Sequence, residues 1–473
     1  MRVTIKISKI VFCLLLGINA SAQTKDSILY LKDVMKQVYQ FHPLAAQAKN
    51  LTEQGKADLL FARGNYDVSF EFEATQKVYK NTNYYSYIDQ GLKVPTWFGP
   101  ELKAGYERNN GQYTNPSDYT PEAGLAYVGF YLPIGRSLIY DERRAAVQQA
   151  QLGQTMSENE KVKAINKLTA SVSKDYWDWY FQYAKYAISK DALAIALKNY
   201  NASVERFKQG DLAPIDTLEA FSAFQQRSIE LSTAENDQKN ARLTLSVHFW
   251  GSDYMPLEIE PYLKPQAYSK EISLTDKDLE TNLEYVRQFH PEILKMKGKV
   301  RQLELEKKLR TVSLIPNIVT SYRYLTSDPL NAHNNISEKY LRENYKIGLY
   351  IYQPLLWRKD RAKYQSAKLK LLNIRSEQQM LNRELENNLR SSTNDVNTLD
   401  SLISIQEKVA SAYQKLALAE RTKFENGESN VFMVNSRESK ALEGMVKLKE
   451  LHAKHEKAKA YLMYATGRNS FEE

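Results

Sequence analysis

The sequence predicts an α+β membrane protein in which short amphipathic strands alternate with very long coiled-coil helices, and in which that order is written twice. Three observations carry the prediction. The first is recurrence: Phe41-His42-Pro43 returns as Phe289-His290-Pro291, and Gly129-Phe130-Tyr131-Leu132-Pro133 is echoed by the segment from Gly348 to Pro354. Phe207-Lys208-Gln209-Gly210 is echoed by Phe424-Glu425-Asn426-Gly427, and Gly251 by Gly467. The offsets fall from 248 to about 221, 217 and 216, so a unit is duplicated in fixed order with about 27 extra residues early in the first copy. The second observation is strict apolar–polar alternation over stretches of about ten residues, the length of a tilted strand that crosses a bilayer. The third is that no proline occurs between Pro133 and Pro214 or after Pro354, and residues 136–209 hold a single glycine, Gly153.

Taken in order, residues 1–22 read as a secretory leader. Arg2, Lys6 and Lys9 precede the apolar run Ile10 to Ile18, and Ala20-Ser21-Ala22 is a cleavage triplet. Two structural repeats are expected to follow, over 23–260 and 261–473. In the first, Tyr66 to Thr75 alternates strictly, and Leu102, Ala104 and Tyr106 continue the pattern against Glu101, Lys103 and Glu107. A strand is also expected around 123–132, so the first repeat's strands fall within 66–132. Those of the second fall within 317–353, where Ile318, Thr320, Tyr322 and Tyr324 alternate with Asn317, Val319, Ser321 and Arg323. Segments 80–90, 109–121 and 326–342 are rich in Asn, Tyr, Ser and Pro and read as loops. That leaves about four strands per chain, too few to close a barrel alone, so a membrane-spanning form must oligomerise.

The long helix of the first repeat would run about 70 residues, or roughly 105 Å. Ile165, Leu168, Val172, Tyr176, Trp179, Tyr183 and Tyr186, then Leu193, Leu197, Tyr200, Val204 and Phe207, step by threes and fours as a coiled-coil seam does. Leu402, Ile405, Val409, Tyr413, Leu416 and Ala419 repeat it. Gly210 with Pro214, and Gly427, each reverse the chain into an antiparallel partner helix, with Asp216 or Thr217 available at the next N-terminus.

Composition narrows the function. The net charge of +9 falls to about +6 without the leader's three basic residues, too little over so long a chain for a nucleic-acid footprint. The one cysteine, Cys13, lies in the leader, so thiol chemistry is not expected. No apolar run approaches the ~18 residues of a spanning helix. Tyrosine outnumbers phenylalanine 32 to 16, as suits surfaces apolar on one side and wet on the other. His452 and His455, three apart without a third ligand, read as a solvated helix surface, and His42 and His290 as capping or packing residues. Glu71 and Glu73 lie on the wet face of a strand, where solvation accounts for them. Phosphate loop, nucleophile elbow and metal cluster are all missing, so neither enzyme activity nor a cofactor is expected. Two readings remain: a trimeric export duct, or a secreted coiled-coil structural protein or adhesin with a small β-domain. The duplicated strands favour the duct.

These features resemble the TolC-like outer-membrane efflux proteins over essentially the whole length beyond the leader. The first tip, from Arg206 to Leu218, carries the most specific match, an aromatic residue, two others and glycine, then Asp216 six residues on. The resemblance implies a homotrimer whose strands close one 12-stranded barrel in outer-membrane lipid, continued by a hollow α-helical coiled-coil barrel through the periplasm. It implies a closed tip at which a periplasmic adaptor and an inner-membrane pump dock, serving efflux or type I secretion. At the second tip Phe424 stands where the family has tyrosine, Ser429 where it has arginine, and Met433 and Ser436 where two aspartates form a charged ring. The gate is therefore expected at Asp216, Phe424, Arg206, Arg437 and Asn435. Adaptor docking is expected at Gly210, Asp211 and Leu212 and at Gly427, Glu428 and Ser429.

Overall fold

The computed structural model describes residues 28–269, 276–327 and 343–468. The segment expected to be a leader, with Cys13, and nearly all of the loop expected over 326–342 lie outside the described residues. In chain order the first elements are β1 (Ile28–Leu29), α1 (Leu31–Phe41), α2 (Pro43–Arg63), β2 (Ser69–Tyr79), β3 (Thr82–Pro95) and β4 (Glu101–Asn110). Next come β5 (Leu125–Pro133), α3 (Arg136–Ile139), α4 (Glu142–Lys208) and α5 (Pro214–Ser246). The remainder is β6 (Lys264–Pro265), α6 (Asp276–Phe289), α7 (Pro291–Val312), β7 (Asn317–Thr326), β8 (Tyr345–Tyr352), α8 (Arg358–Glu425) and α9 (Val431–Thr466). The fold divides into two compact units, each drawing on both halves of the sequence.

Among the described residues, the first unit comprises 41–174, 276–327, 343–404 and 454–468. Its centrepiece is one antiparallel sheet in the order β2-β3-β4-β5-β7-β8. Six strands stand where about four were expected: the alternating segments correspond to five of them, and the sixth, β3, takes most of the segment 80–90, read as a loop. Lys80 and Asn81 take left-handed φ values of 51° and 55° between the paired residues Tyr79 and Thr82. A two-residue turn of this kind matches the twist of the flanking strands, so pairing resumes at once. The asparagines and tyrosines that suggested a loop are strand residues with a wet face.

The helices of this unit begin alike. His42 precedes Pro43 and accepts the Leu44 N–H on Nδ1 at 3.1 Å; His290 precedes Pro291 and accepts the Glu292 N–H at 3.2 Å. Each imidazole thus satisfies an orphan amide of a helix whose first residue is proline. Burial holds the His290 pKa below its ordinary value. Leu283 and Val286 of α6, Ile293 of α7, Leu385, Leu389 and Val396 of α8, and Leu462 and Ala465 of α9 form the apolar core beside it. His455 is buried at 2% exposure against Asp400, 3.0 Å away, not solvated as its spacing suggested.

Among the described residues, the second unit comprises 28–40, 175–269 and 405–453. Strands β1 and β6 pair in parallel. The buried Tyr176 hydroxyl donates to the Leu29 carbonyl at 2.6 Å and accepts the Gln266 N–H at 2.9 Å, which ties both strands to α4. Burial raises the pKa of that phenol. His248 meets Asp175 at 2.8 Å. His452 stacks on Tyr268 with ring centroids 3.9 Å apart, again buried rather than on a solvated surface. A histidine carries a flat apolar body, and helix spacing alone does not say which side is covered.

The coiled-coil seams hold in part. Ile165, Leu168, Val172, Tyr176 and Trp179 are buried as expected, and Trp177 and Tyr180 are buried beside them, so α4 is covered on more than one face there. Farther along α4 the buried positions are Ala192, Ala196 and Ser203, while Leu197 is exposed. In α8 the buried stripe is Leu389, Val396, Ile403 and Ala410, spaced by heptads; Leu402, Ile405, Leu416 and Ala419 are exposed, Ile405 at 59%. The sequence of α8 thus carries two neighbouring apolar stripes, and the one through Leu389, Val396, Ile403 and Ala410 is the one covered within the chain. The first expected end cap is also corrected: α5 is preceded by Ala213 with no side-chain cap, and Asp216 sits within its first turn.

Candidate channel wall and gate

The sheet of the first unit separates two chemistries. In register across all six strands stand Phe70, Leu92, Ala104, Val128, Tyr324 and Tyr345, and the neighbouring row holds Val94, Leu102, Phe130, Tyr322 and Ile347. On this face Phe70 is 65% and Leu349 67% exposed, far beyond what an aqueous surface favours for a contiguous patch. The opposite face is charged and paired. Lys103 bridges Glu71 at 3.3 Å and Asp89 at 3.6 Å, and Lys93 reaches Glu101 at 3.4 Å. Arg143 pairs with Glu101, and Arg323 lies 3.7 Å from Glu107 and 5.0 Å over the Tyr127 ring. Tyr127 donates to Asp89 at 2.8 Å across Gly91 and Gly105. A Cβ at Gly105 would stand 2.7 Å from that hydroxyl oxygen, so glycine is required under the phenol. Apolar outside and polar inside is the alternation of a wall between lipid and water.

The hairpin tips lie in the second unit. At Gly210 φ is +84° and at Gly427 +80°. At the first tip the Asp211 N–H donates to the Arg206 carbonyl at 2.9 Å and the Gly210 N–H to Phe207 at 3.0 Å. At the second, Glu428 N–H donates to Lys423 at 2.9 Å and Gly427 N–H to Phe424 at 3.1 Å. Both are six-to-one closures with a nested five-to-two bond around a left-handed glycine.

Of the expected gate residues, Arg206 and Phe424 come together, the guanidinium 4.9 Å from the ring centroid. Arg437 approaches Glu420 at 3.8 Å, and Glu420 also accepts from Ser429. Neither arginine meets Asp216, whose carboxylate makes no hydrogen bond or ion pair among the described residues. Asn435 lines a groove of about 1240 Å³, its buried Nδ2 without a hydrogen-bond partner. Leu212 is half-buried, whereas Asp211, Gly427 and Glu428 are exposed.

Sequence reasoning missed Glu438. It accepts from Arg421 and from Asn199 at 3.2 Å, so it links α9 to α8 and to α4. Arg227 of α5 adds a bond to Ser439 at 2.6 Å. A signal existed: Glu420-Arg421 and Arg437-Glu438 are mirror-ordered charge pairs flanking a turn, which antiparallel helices set face to face.

Comparison with known proteins fits this geometry. The family model for "Outer membrane efflux protein" matches residues 96–248. The outer membrane channel CmeC of Campylobacter jejuni superposes with TM-score 0.65 at 13% identity, covering 92% of this chain and 85% of its own. For the outer membrane protein VceC of Vibrio cholerae the values are 0.65 and 15%, with coverage of 92% and 96%. For the open-state MtrE channel of Neisseria gonorrhoeae they are 0.66 and 12%, with coverage of 93% and 89%. No curated protein matches the chain in sequence. The family's segment over 96–248 and the fold of these channels over nearly all of the chain's length agree with its resemblance to the TolC-like outer-membrane efflux proteins.

Proposed function

We propose that the chain is the outer-membrane duct of a tripartite efflux or type I secretion system, working as a homotrimer with a periplasmic adaptor and an inner-membrane pump. The two-faced sheet carries this reading: one face is exposed and apolar, the other is a connected set of ion pairs, and the outer edge of each end strand is unpaired among the described residues. An open sheet cannot stand in lipid, because each unpaired backbone group there costs several kcal/mol. Copies of the same chain would remove the edges, and would also cover the apolar positions left outside each helical hairpin, such as Leu197, Ile405 and Leu418.

The duct is passive. Its wall supplies a lumen lined with balanced charge, and its tips supply the closure and the docking loops. Gly210, Asp211 and Leu212, and Gly427, Glu428 and Ser429, are the adaptor's contact points in this reading. Asp216, Arg206, Phe424, Arg437 and Asn435 form the gate. Arg206 on Phe424, together with the Glu438 bonds, holds the two hairpins of one chain to each other. Closure is thus expected to depend on links within each chain, not on an arginine presented to Asp216.

Fractionation and electrophysiology test the proposal. The protein should sediment with outer membranes, run as a heat-modifiable species, and insert in planar bilayers with one conductance per three chains. A stable monomer in aqueous solution without detergent overturns it.

A further inference from the structure

The residues that separate the two halves of the sequence have a definite form. The offset between the copies drops by about 27 residues, and β2, its turn and β3 together span Ser69 to Pro95. What remains of the first set of strands, β4 and β5, parallels β7 and β8. The family match begins at residue 96, directly after the hairpin. We propose that Ser69–Pro95 is an added pair of wall strands, so that each copy contributes six and three copies close an eighteen-stranded barrel rather than a twelve-stranded one. This rests on the duct reading above.

Both faces of the hairpin are built as wall. Its apolar side carries Phe70, Phe72, Ile88 and Leu92, and the Phe70–Leu92 pair continues in register through Ala104 of β4 to Val128 of β5. Its polar side is wired into the sheet: Glu71 and Asp89 share Lys103 of β4, and Tyr127 reaches Asp89 from β5, two strands away. A hairpin lying outside the wall, in lipid or over a rim, would have no use for carboxylates on the face that the rest of the sheet turns to water. At 11 and 14 residues, β2 and β3 are also long enough to cross a bilayer at a tilt.

The edges fit the same arrangement. Pairing with β3 covers the side of β4 that a four-strand unit would leave free, so β2 and β8 are the sheet's ends. The six strands alternate in direction, so β8 of one copy would lie antiparallel to β2 of the next, as closure requires. Charge agrees: Glu73 on the polar side of β2 has no ion pair among the described residues, while Lys346 on that side of β8 has only Asp118 at 4.0 Å. Barrels of 16–18 strands enclose an aqueous channel.

Cysteine walks decide the matter. In a Cys13→Ala background, single cysteines are placed along Ser69–Tyr79, and separately along Glu101–Asn110, each combined with Leu349→Cys, and oxidised in membranes. We expect covalent dimers and trimers from positions in the first walk and none from the second. Products from the second walk alone, or a three-chain assembly with both walks silent, overturn the added strands and leave the duct reading standing. A one-chain mass in detergent with both walks silent overturns both. End-on electron-microscopy projections give an independent measure, since barrel diameter grows roughly linearly with strand number. The strand end should be about 1.5 times wider than in a variant lacking residues 69–95, and equal widths overturn the inference. If that deletion does not assemble, the walks decide alone.

Discussion

The two hairpin tips share a backbone and differ in almost everything attached to it. Each turns on a glycine near φ +80°, with the same nested pair of carbonyl closures. The helix that follows is treated differently. Asn430 Oδ1 accepts the Met433 N–H at 2.9 Å, and Ser429 is bonded to Glu420, so the second tip is capped and tethered. At the first tip Ala213 offers no cap, and Asp216 stands unpaired at the place where the second helix has Met433. The difference teaches that the turn is a requirement of reversing the chain, whereas cap and charge are free to vary with what each tip does. The second tip is the fixed one, and the first carries the available charge.

The shared part should break alike at both tips, and by the most. A Cβ added at Gly210 or Gly427 meets no atom within 4 Å, so valine there is opposed first by the backbone conformation. The left-handed backbone alone costs roughly 1–2 kcal/mol for such a residue. Amide exchange at both tips should accelerate about 5- to 30-fold, equally in the two variants. A markedly larger effect at one tip would show that the turns are not equivalent.

The caps should then separate the tips. Asn430→Ala is expected to lose about 1 kcal/mol from the start of α9, and Ala213→Asn to gain a similar amount at the start of α5. Hydrogen exchange in the first turn of each helix measures both. If Ala213→Asn leaves α5 unchanged, the first tip is held by something other than its backbone.

Glycine positions, His-Pro starts and alternating strands each follow from a local rule, and the structure places them nearly where expected. The strand β3 was missed because Asn, Tyr and Ser serve both loops and the wet face of a wall. Periodicity points to the stripe at Leu402, Ile405 and Leu416, which is exposed, because it reports an apolar face without saying what covers it. Glu438 and Arg421 went unseen because their pairing needs the register of two helices, which no short window contains.

The helix starts supply a control, since both copies keep the same cap there. Burial lowers the His290 pKa from its ordinary 6.5, with Glu292 opposing and Lys163 reinforcing the shift. The folded state therefore binds fewer protons than the unfolded state just below that value. The contribution is present above about pH 6.5 and is lost as pH falls through the lower folded-state value. Exchange at the first turn of α7 should rise on acidification over that range, and His290→Asn, which keeps an acceptor without the titration, should flatten the dependence. A pH profile unaltered by the substitution would assign the acid sensitivity elsewhere.

The smallest effect on stability should accompany the largest on selectivity. Asp216 lies in the first turn of α5, where a carboxylate gains about 0.3–1 kcal/mol from the helix dipole and nothing further, since it has no partner. Asp216→Ala should thus cost only a few tenths of a kcal/mol, and the assembly should stay intact. In the proposed trimer, the same change would remove three negative charges from the proposed gate. Reversal potentials in a salt gradient should shift towards weaker cation preference. Met433→Asp, which gives the second tip the charge of the first, should shift them the other way. An Asp216→Ala channel with the reversal potential of the unmodified protein would place the constriction away from the first tip. The free carboxylate would then be an ordinary first-turn acid with no part in the gate.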